Sequence, residues 1–200
     1  MRTSSISELW RRLWRSCLGA TAVEYAMILP ILLLFIVGII EFNVIMYASA
    51  VLEGATAISA RSGKTGYTAS GVSQQTYIYN LAQTKVTGIL DPSQLQISSK
   101  SYASFSAVGK PEPCITPISS PCPGTPGVNF VDVNHNGTWD SDQGAAGLGS
   151  AGDIVVYTIS YPWHVMTPLM TPFFGTGGII TLASSAIVKN EPYNVGGSAR

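Results

Sequence analysis

An uncharged apolar run near the start of the chain constrains the fold more than any other feature. The run extends from Tyr25 to Ile40 and reads YAMILPILLLFIVGII. As an α-helix it rises about 24 Å, and the apolar residues after Glu41 extend it past the roughly 30 Å hydrocarbon core of a membrane. Nothing else in the chain is apolar enough to bury such a helix as the core of a soluble protein. The run therefore predicts a transmembrane helix over residues 20–48.

Charge outside this run is sparse and unevenly placed. Charged residues make up 11% of the chain, against about 25% in ordinary soluble proteins, and the net charge is zero. A neutral chain does not neutralise many phosphates, so nucleic acid is not expected as a partner. Residues 1–19 contain one acidic residue, Glu8, and four basic ones: Arg2, Arg11, Arg12 and Arg15. The positive-inside rule therefore places residues 1–19 in the cytoplasm as a basic leader and the rest of the chain outside.

Residues 49–195 have the pattern of an exported domain that begins with helix. The first helix is predicted to continue to Ser62, because no proline interrupts it beyond the membrane and Gly63 is typical of a helix end. A second helix is predicted over residues 73–87 from apolar positions at three-to-four spacing. Asp91, which is followed by a proline, is predicted to end the regular structure after this helix.

Strand patterns follow the second helix. Residues 95–99 alternate between apolar and polar side chains, and Ile154 to Tyr161 form an apolar run typical of a buried strand. Residues 179–188 have apolar side chains at even-numbered positions, which predicts another strand. Helices followed by strands predict an α+β fold with an antiparallel sheet. Residues 196–200 are predicted to form a flexible tail.

The residues around the start of the apolar run resemble a processing site. An Arg-rich leader is followed by Gly19, four residues and then Glu24-Tyr25, which resembles the cleavage site of type IV prepilins. The segment GATAVEYAMILPILLLFIVGIIEF is similar in sequence to the TadE-like family, the minor pseudopilins of the tight-adherence (Flp) pilus machinery. The similarity is strongest over residues 11–64. It returns in the segment that runs from Ser184 to Pro192.

The resemblance implies a single-pass inner-membrane protein that is cut by a prepilin peptidase. Cleavage between Gly19 and Ala20, at the cytoplasmic face, leaves Ala20 as the new N-terminus and Glu24 as the fifth residue. The implied fold is a long N-terminal helix that serves as a spine and packs on a small antiparallel sheet in the periplasm. The implied function is assembly or priming of a tight-adherence pilus. The implied partners are other pilins or pseudopilins, the inner-membrane pilus platform and the prepilin peptidase.

The two carboxylates that flank the apolar run have different expected roles. A carboxylate in hydrocarbon costs several kcal/mol unless it is paired or neutralised. Four residues of helix are about 6 Å long, so a neighbouring helix staggered by that distance places its freed amine against Glu24. Glu24 and Tyr25 are therefore the predicted assembly residues, whereas a plain interfacial glutamate is the alternative for Glu24. Glu41 is expected at the periplasmic interface, either solvated or in contact with a partner.

Two cysteines lie in a proline-rich segment of the exported domain. Cys114 and Cys122 enclose seven residues of the stretch CITPISSPC. An oxidising compartment outside the membrane favours a disulfide between them, which pins a loop that has no regular structure. Two free thiols are the alternative.

An Asx-rich stretch that begins at Asp132 is close to the calcium loop of EF-hand proteins. Oxygen-bearing side chains fall at positions 1, 3, 5 and 9, a glycine stands at position 6, and position 7 supplies a backbone carbonyl. Position 12 is Gln143, which is not a bidentate carboxylate, so Asp142 is expected to replace it. The predicted structural Ca²⁺ ligands are Asp132, Asn134, Asn136, Thr138, Asp140 and Asp142. A turn without metal is the alternative.

No pattern in the sequence favours catalysis. The two histidines, His135 and His164, lack a nucleophile elbow or a zinc motif around them. The leading hypothesis is a structural pilus component that is not an enzyme. Two alternatives are a signal-anchored, calcium-binding recognition module with no pilus role and an anchored periplasmic enzyme.

Overall fold

The computed structural model describes residues 19–115, 130–174 and 176–192. The first helix, α1, extends from Ala20 to Lys64 and contains Pro30. It begins where the transmembrane helix was predicted to begin. The chain leaves the helix at Gly66, which has a φ of 66° and donates its N–H to the carbonyl of Gly63 at 3.2 Å. The left-handed conformation at Gly66 is the usual glycine device for stopping a helix.

The second helix, α2, extends from Gln74 to Val86, close to the predicted range. Ser73 caps its first turn, because the Ser73 hydroxyl oxygen accepts a hydrogen bond from the backbone N–H of Thr76 at 3.2 Å. The predicted chain break follows as a 3₁₀ turn, in which the Asp91 carboxylate accepts the backbone N–H of Ser93 at 3.0 Å.

Four strands form one sheet. They are β1 (Gln96–Tyr102), β2 (Ala145–Ala146), β3 (Ile154–His164) and β4 (Ile179–Lys189), in the spatial order β2-β1-β3-β4. Strand β1 runs antiparallel to both of its neighbours. The predicted α+β arrangement of a long apolar helix and a small antiparallel sheet is confirmed. Strand β2 was not predicted, because two alanines are too short a segment to show an alternating pattern.

The chain divides into two compact units. The first contains the helix up to Ile45 together with His164–Ile179, and the second contains Met46–Trp163 and the chain from Ile180 onward. The first unit therefore joins the apolar half of α1 to the connection between β3 and β4. The second unit holds α2, the remainder of α1 and nearly all of the sheet.

The core of the second unit forms where the C-terminal half of α1 packs on the sheet. Its buried face on α1 is a stripe of mostly small side chains: Ala48, Leu52, Ala55, Thr56, Ser59 and Ala60. Ala60 packs with Ile78 of α2 and with Val155 and Tyr157 of β3. Small side chains allow the helix axis to lie close to the strands. The larger aromatic side chains of β3 then fill the space between the helix and the sheet.

Gly63 has a different role from the predicted helix end. Helix α1 continues past it to Lys64, and a Cβ atom at Gly63 would overlap the phenol ring of Tyr157. Tyr157 is almost completely buried. The glycine is therefore required for the close approach of β3 to the helix, and Gly66 supplies the left-handed turn.

Candidate assembly and binding sites

The predicted processing and assembly residues lie at the N-terminal end of α1. Gly19 directly precedes the first residue of the helix, and both Gly19 and Glu24 are exposed to solvent. Tyr25 is also exposed. The predicted leader, residues 1–18, lies outside the described residues. Cleavage after Gly19 and the assembly role of Glu24 stay predictions.

Most side chains in the apolar half of α1 are exposed, and the half-buried positions 34, 37 and 38 lie on the helix face that leads to Glu41. The exposed side chains include Val23, Met27, Ile28, Ile31, Phe35 and Ile36. Among the described residues, α1 is the one helix that is long and apolar enough to cross a membrane. Exposure of so many large apolar side chains in water is unfavourable, so this half of the helix fits a single-pass membrane anchor.

Glu41 is buried within the first unit instead of being solvated. Its side chain is 2% exposed. One carboxylate oxygen accepts the backbone N–H of Met166 at 2.8 Å, and the other accepts the hydroxyl of Thr167 at 3.0 Å. The solvated environment expected from the sequence is therefore wrong for this carboxylate, and its contact with a partner stays a prediction. No local sequence signal connects it to a loop so far along the chain.

The loop that Glu41 holds is the connection between β3 and β4. Its base is closed by a hydrogen bond from the backbone N–H of Val165 to the carbonyl of Gly178 at 2.9 Å. Met170 is buried, and its sulfur lies 3.8 Å from the position that a Cβ atom would occupy at Gly38. Met170 and its neighbours in the loop, Phe173 and Phe174, line a shallow apolar groove with residues 34–42 of α1.

The Asx-rich loop has the backbone scaffold of a tight polar turn. The two carboxylate oxygens of Asp132 accept the backbone N–H groups of Asn136 at 3.2 Å and Gly137 at 2.8 Å. His135 and Gly137 adopt positive φ values of 59° and 78°. The carboxylate at position 1 thus organises the turn at positions 4 to 6, as the sequence pattern suggests.

The asparagines of this loop turn their amide nitrogens toward Asp140. The side-chain amides of Asn134 and Asn136 both donate to one carboxylate oxygen of Asp140. These two hydrogen bonds, that from Asn134 first, lower the pKa of Asp140 below its ordinary value. The amide oxygen of Asn136 meanwhile accepts the backbone N–H of Thr138 at 2.7 Å. A cation ligated by the two amide oxygens therefore requires both amides to turn.

Glu112 is the buried centre of the Asx-rich loop, and sequence reasoning missed it. Its side chain is 1% exposed, and its carboxylate accepts the backbone N–H groups of Val133 at 2.8 Å and Asp140 at 3.0 Å. The N–H of Asn134 lies 3.3 Å from the same oxygen that Val133 reaches. Its flanking prolines gave no signal that this glutamate reaches a loop more than twenty residues later.

Asp142, the predicted replacement for the ligand at position 12, faces β1. Its carboxylate accepts hydrogen bonds from the Lys100 ammonium at 2.7 Å and the Tyr102 hydroxyl at 2.9 Å. Burial raises the pKa of Asp142, but the bonds from Lys100 and Tyr102 together outweigh it and lower that pKa. Burial and the hydrogen bond to Asp142 raise the pKa of Tyr102 to about 12. The sequence has no Lys or Arg from Pro111 to Val188, and Lys100 of β1 supplies a cation to Asp142 from outside that range.

Of the three carboxylates predicted as Ca²⁺ ligands, Asp132 and Asp140 therefore lie within the turn, whereas Asp142 faces β1. Within residues 19–115, 130–174 and 176–192, no three His, Cys, Asp or Glu side chains converge as a metal site. Calcium binding stays a prediction. The predicted disulfide also stays a prediction, because Cys122, the partner expected for Cys114, lies outside the described residues.

Comparison with known proteins bears on nearly the whole of α1. The family model described as TadE-like protein matches residues 19–61, which confirms the resemblance over this segment. The match begins at Gly19 and ends within α1. No curated protein and no solved structure matches the chain. A TadE-like segment associates the chain with tight-adherence pilus systems in general.

Proposed function

We propose that this chain is a minor pseudopilin that assembles or primes a tight-adherence pilus. In this proposal it crosses the inner membrane once, with residues 1–19 in the cytoplasm and residues 49–195 in the periplasm. A prepilin peptidase removes the leader between Gly19 and Ala20. The observation that carries the proposal is an exposed carboxylate, Glu24, directly before the uncharged and largely exposed apolar run of a helix whose family match begins at Gly19.

The physical step is the pairing of Glu24 with a new N-terminus. Cleavage would give Ala20 a positive amine at the start of a helix, where the helix dipole already disfavours a positive charge. A carboxylate from a neighbouring helix offsets that cost, and the amine offsets the cost of holding Glu24 in hydrocarbon. A stagger of about 6 Å between two such helices brings the amine and the carboxylate together. The pairing therefore fixes the register of side-by-side helices.

This mechanism defines the partners by their chemistry. A partner helix must be apolar, membrane-embedded and processed at its own N-terminus, which describes other pilins or pseudopilins. The prepilin peptidase must act before pairing, because the uncut chain has no amine at the start of the helix. The inner-membrane pilus platform is the proposed site of assembly.

The first test is the mass of the mature protein isolated from its native membrane. A chain that begins at Ala20 supports processing. A chain that still begins at Met1 in working pili would overturn the proposal and favour a permanent signal anchor.

The second test separates assembly from insertion. Glu24→Gln removes the charge with little change in shape, and we expect this variant to be cut and membrane-inserted but to be lost from co-purified pilus complexes. Glu53→Gln is the matched control, because Glu53 is an exposed glutamate of the same helix outside the apolar run. Normal co-purification of Glu24→Gln with pilus partners would contradict the pairing.

A second candidate function is a membrane-anchored recognition module stabilised by Ca²⁺. It is favoured by the turn at Asp132, whose side chain already binds the backbone of positions 5 and 6. Millimolar Ca²⁺ should raise the melting temperature of the full chain relative to chelator, Mg²⁺ should not, and Asp140→Ala should abolish the effect. An unchanged melting temperature in Ca²⁺ would remove the metal from this hypothesis.

A further inference from the structure

The loop between β3 and β4 exposes large apolar side chains and carries no acidic or basic residue, and His164 is the last residue of the strand before it. From Ile154 to Val188 the chain contains no Asp, Glu, Lys or Arg. Met166, Leu169 and Phe173 are all more than half exposed. A loop of this composition is unfavourable in water, and its exposed side chains need an apolar environment.

The position of this loop in the first unit indicates which environment that is. The loop packs on residues 34–42 of α1, and residues 34–40 are the last part of the uncharged run. The buried side chain of Met170 lies beside Gly38 at this level of the helix, with its sulfur 3.8 Å from the position that a Cβ atom would occupy there. Each residue of helix rises about 1.5 Å, so the helix side of the groove extends about 10 Å from Glu41 into the apolar run.

Several backbone N–H groups of the loop already have hydrogen-bond acceptors within the protein. The N–H groups of Met170 and Phe173 donate to carbonyls within the loop at 2.9 Å each, and that of Phe174 does so at 3.3 Å. The N–H of Met166 donates to the buried carboxylate of Glu41. Irregular backbone at membrane depth requires such internal bonds, because hydrocarbon supplies none. The two oxygens of the Glu41 carboxylate are in turn hydrogen-bonded by the loop.

We infer that the loop at residues 165–174 is a second membrane contact, inserted into the leaflet at the Glu41 end of the helix. Its occupant is lipid, because the exposed side chains continue the lipid-facing surface of the same helix. Glu41 holds the loop against α1, and Met166, Leu169 and Phe173 enter the boundary between headgroups and acyl chains. The inference rests on the membrane-anchor part of the proposed function and not on pilus assembly, so failed pairing at Glu24 leaves it unchanged.

Tryptophan fluorescence in lipid vesicles tests this contact with a matched pair of variants. Phe173 and Phe105 are 66% and 61% exposed, and Phe105 lies in the second unit, which the inference does not place in lipid. Full-length Phe173→Trp and Phe105→Trp are reconstituted in phosphatidylcholine vesicles with and without acyl-chain bromination. After subtraction of the parent signal, we expect the added tryptophan at 173 to emit at shorter wavelength and to lose most of its emission to brominated lipid. The tryptophan at 105 should be unaffected.

Two results would overturn the inference. Equal quenching of the two variants would mean that the loop is no closer to acyl chains than an exposed aromatic of the second unit. A shift at position 173 that disappears when the protein is diluted into excess lipid would assign the surface to a second copy of the chain instead of lipid.

Discussion

The carboxylate of Glu41 accepts a hydrogen bond from the backbone N–H of Met166, 125 residues later in the chain. The two residues belong to the same compact unit, and both sides of the carboxylate are bonded there. A buried acceptor of this kind stabilises the loop only while both of its oxygens keep their donors. Glu41 is therefore a tether between the apolar helix and the β3–β4 connection.

The first prediction concerns removal of this tether. Glu41→Ala leaves the N–H of Met166 without its acceptor, and we expect a loss of about 1–3 kcal/mol in the stability of the loop. Glu41→Gln keeps one acceptor oxygen and should lose less. Limited proteolysis of the full chain in detergent measures the opening of residues 165–174. Glu53→Ala is the control, and equal protection in Glu41→Ala and the parent would refute the tether.

The second prediction concerns the contact between Gly63 and Tyr157. Gly63→Ala forces a methyl group into a buried aromatic ring, and overpacking of this kind costs about 1–3 kcal/mol. Gly54 is the matched position, because it lies in the same helix, is exposed and has open space at its Cβ position. Gly54→Ala should stabilise the protein by about 0.5–1 kcal/mol. Thermal unfolding measures both, and a stabilising Gly63→Ala would contradict the packing described for α1.

The third prediction concerns Glu112 and the Asx-rich loop. Glu112→Ala removes the acceptor of at least two backbone N–H groups, so we expect a loss of about 1–3 kcal/mol and a disordered loop. Trp139 reports on the change, since its indole N–H donates to the Glu112 carbonyl at 3.0 Å. Its fluorescence should shift to longer wavelength in Glu112→Ala and less in Glu112→Gln. An unaltered spectrum in Glu112→Ala would show that the loop does not depend on this carboxylate.

Local patterns in the sequence predicted the elements of the fold because the forces that form them are local. The apolar run indicated α1, three-to-four apolar spacing indicated α2, and the apolar run from Ile154 indicated β3. The antiparallel sheet followed from the order of helices and strands. Each of these inferences depends on residues within a few positions of each other.

The contacts that define the candidate sites depend on pairs far apart in the chain, which no local pattern encodes. Glu41 reaches Met166, Glu112 reaches Asp140, and Lys100 reaches Asp142. From the sequence alone, the charged side chain of each pair could equally well be exposed to solvent or be buried and hydrogen-bonded. Burial decides between the two readings, and burial is known only after the chain has folded.

The last prediction concerns the pH dependence that arises from Tyr102 and Asp142. Burial and the hydrogen bond to Asp142 raise the pKa of Tyr102 to about 12, against about 10 for an ordinary tyrosine. Between these two values the unfolded chain releases the phenol proton and the folded chain keeps it, so stability should fall as the pH rises from about 10 to 12.

The pKa of Asp142 is lowered, so its contribution has the opposite sign. It is present above the unfolded pKa of about 3.9 and is lost as the pH falls through the folded value. Asp142→Asn should lower the pKa of Tyr102 only part of the way to 10, because burial is the larger cause. Tyrosinate absorbance measures this, with Tyr102→Phe identifying the signal. A pKa of Tyr102 that is identical in Asp142→Asn and the parent would show that burial alone sets it.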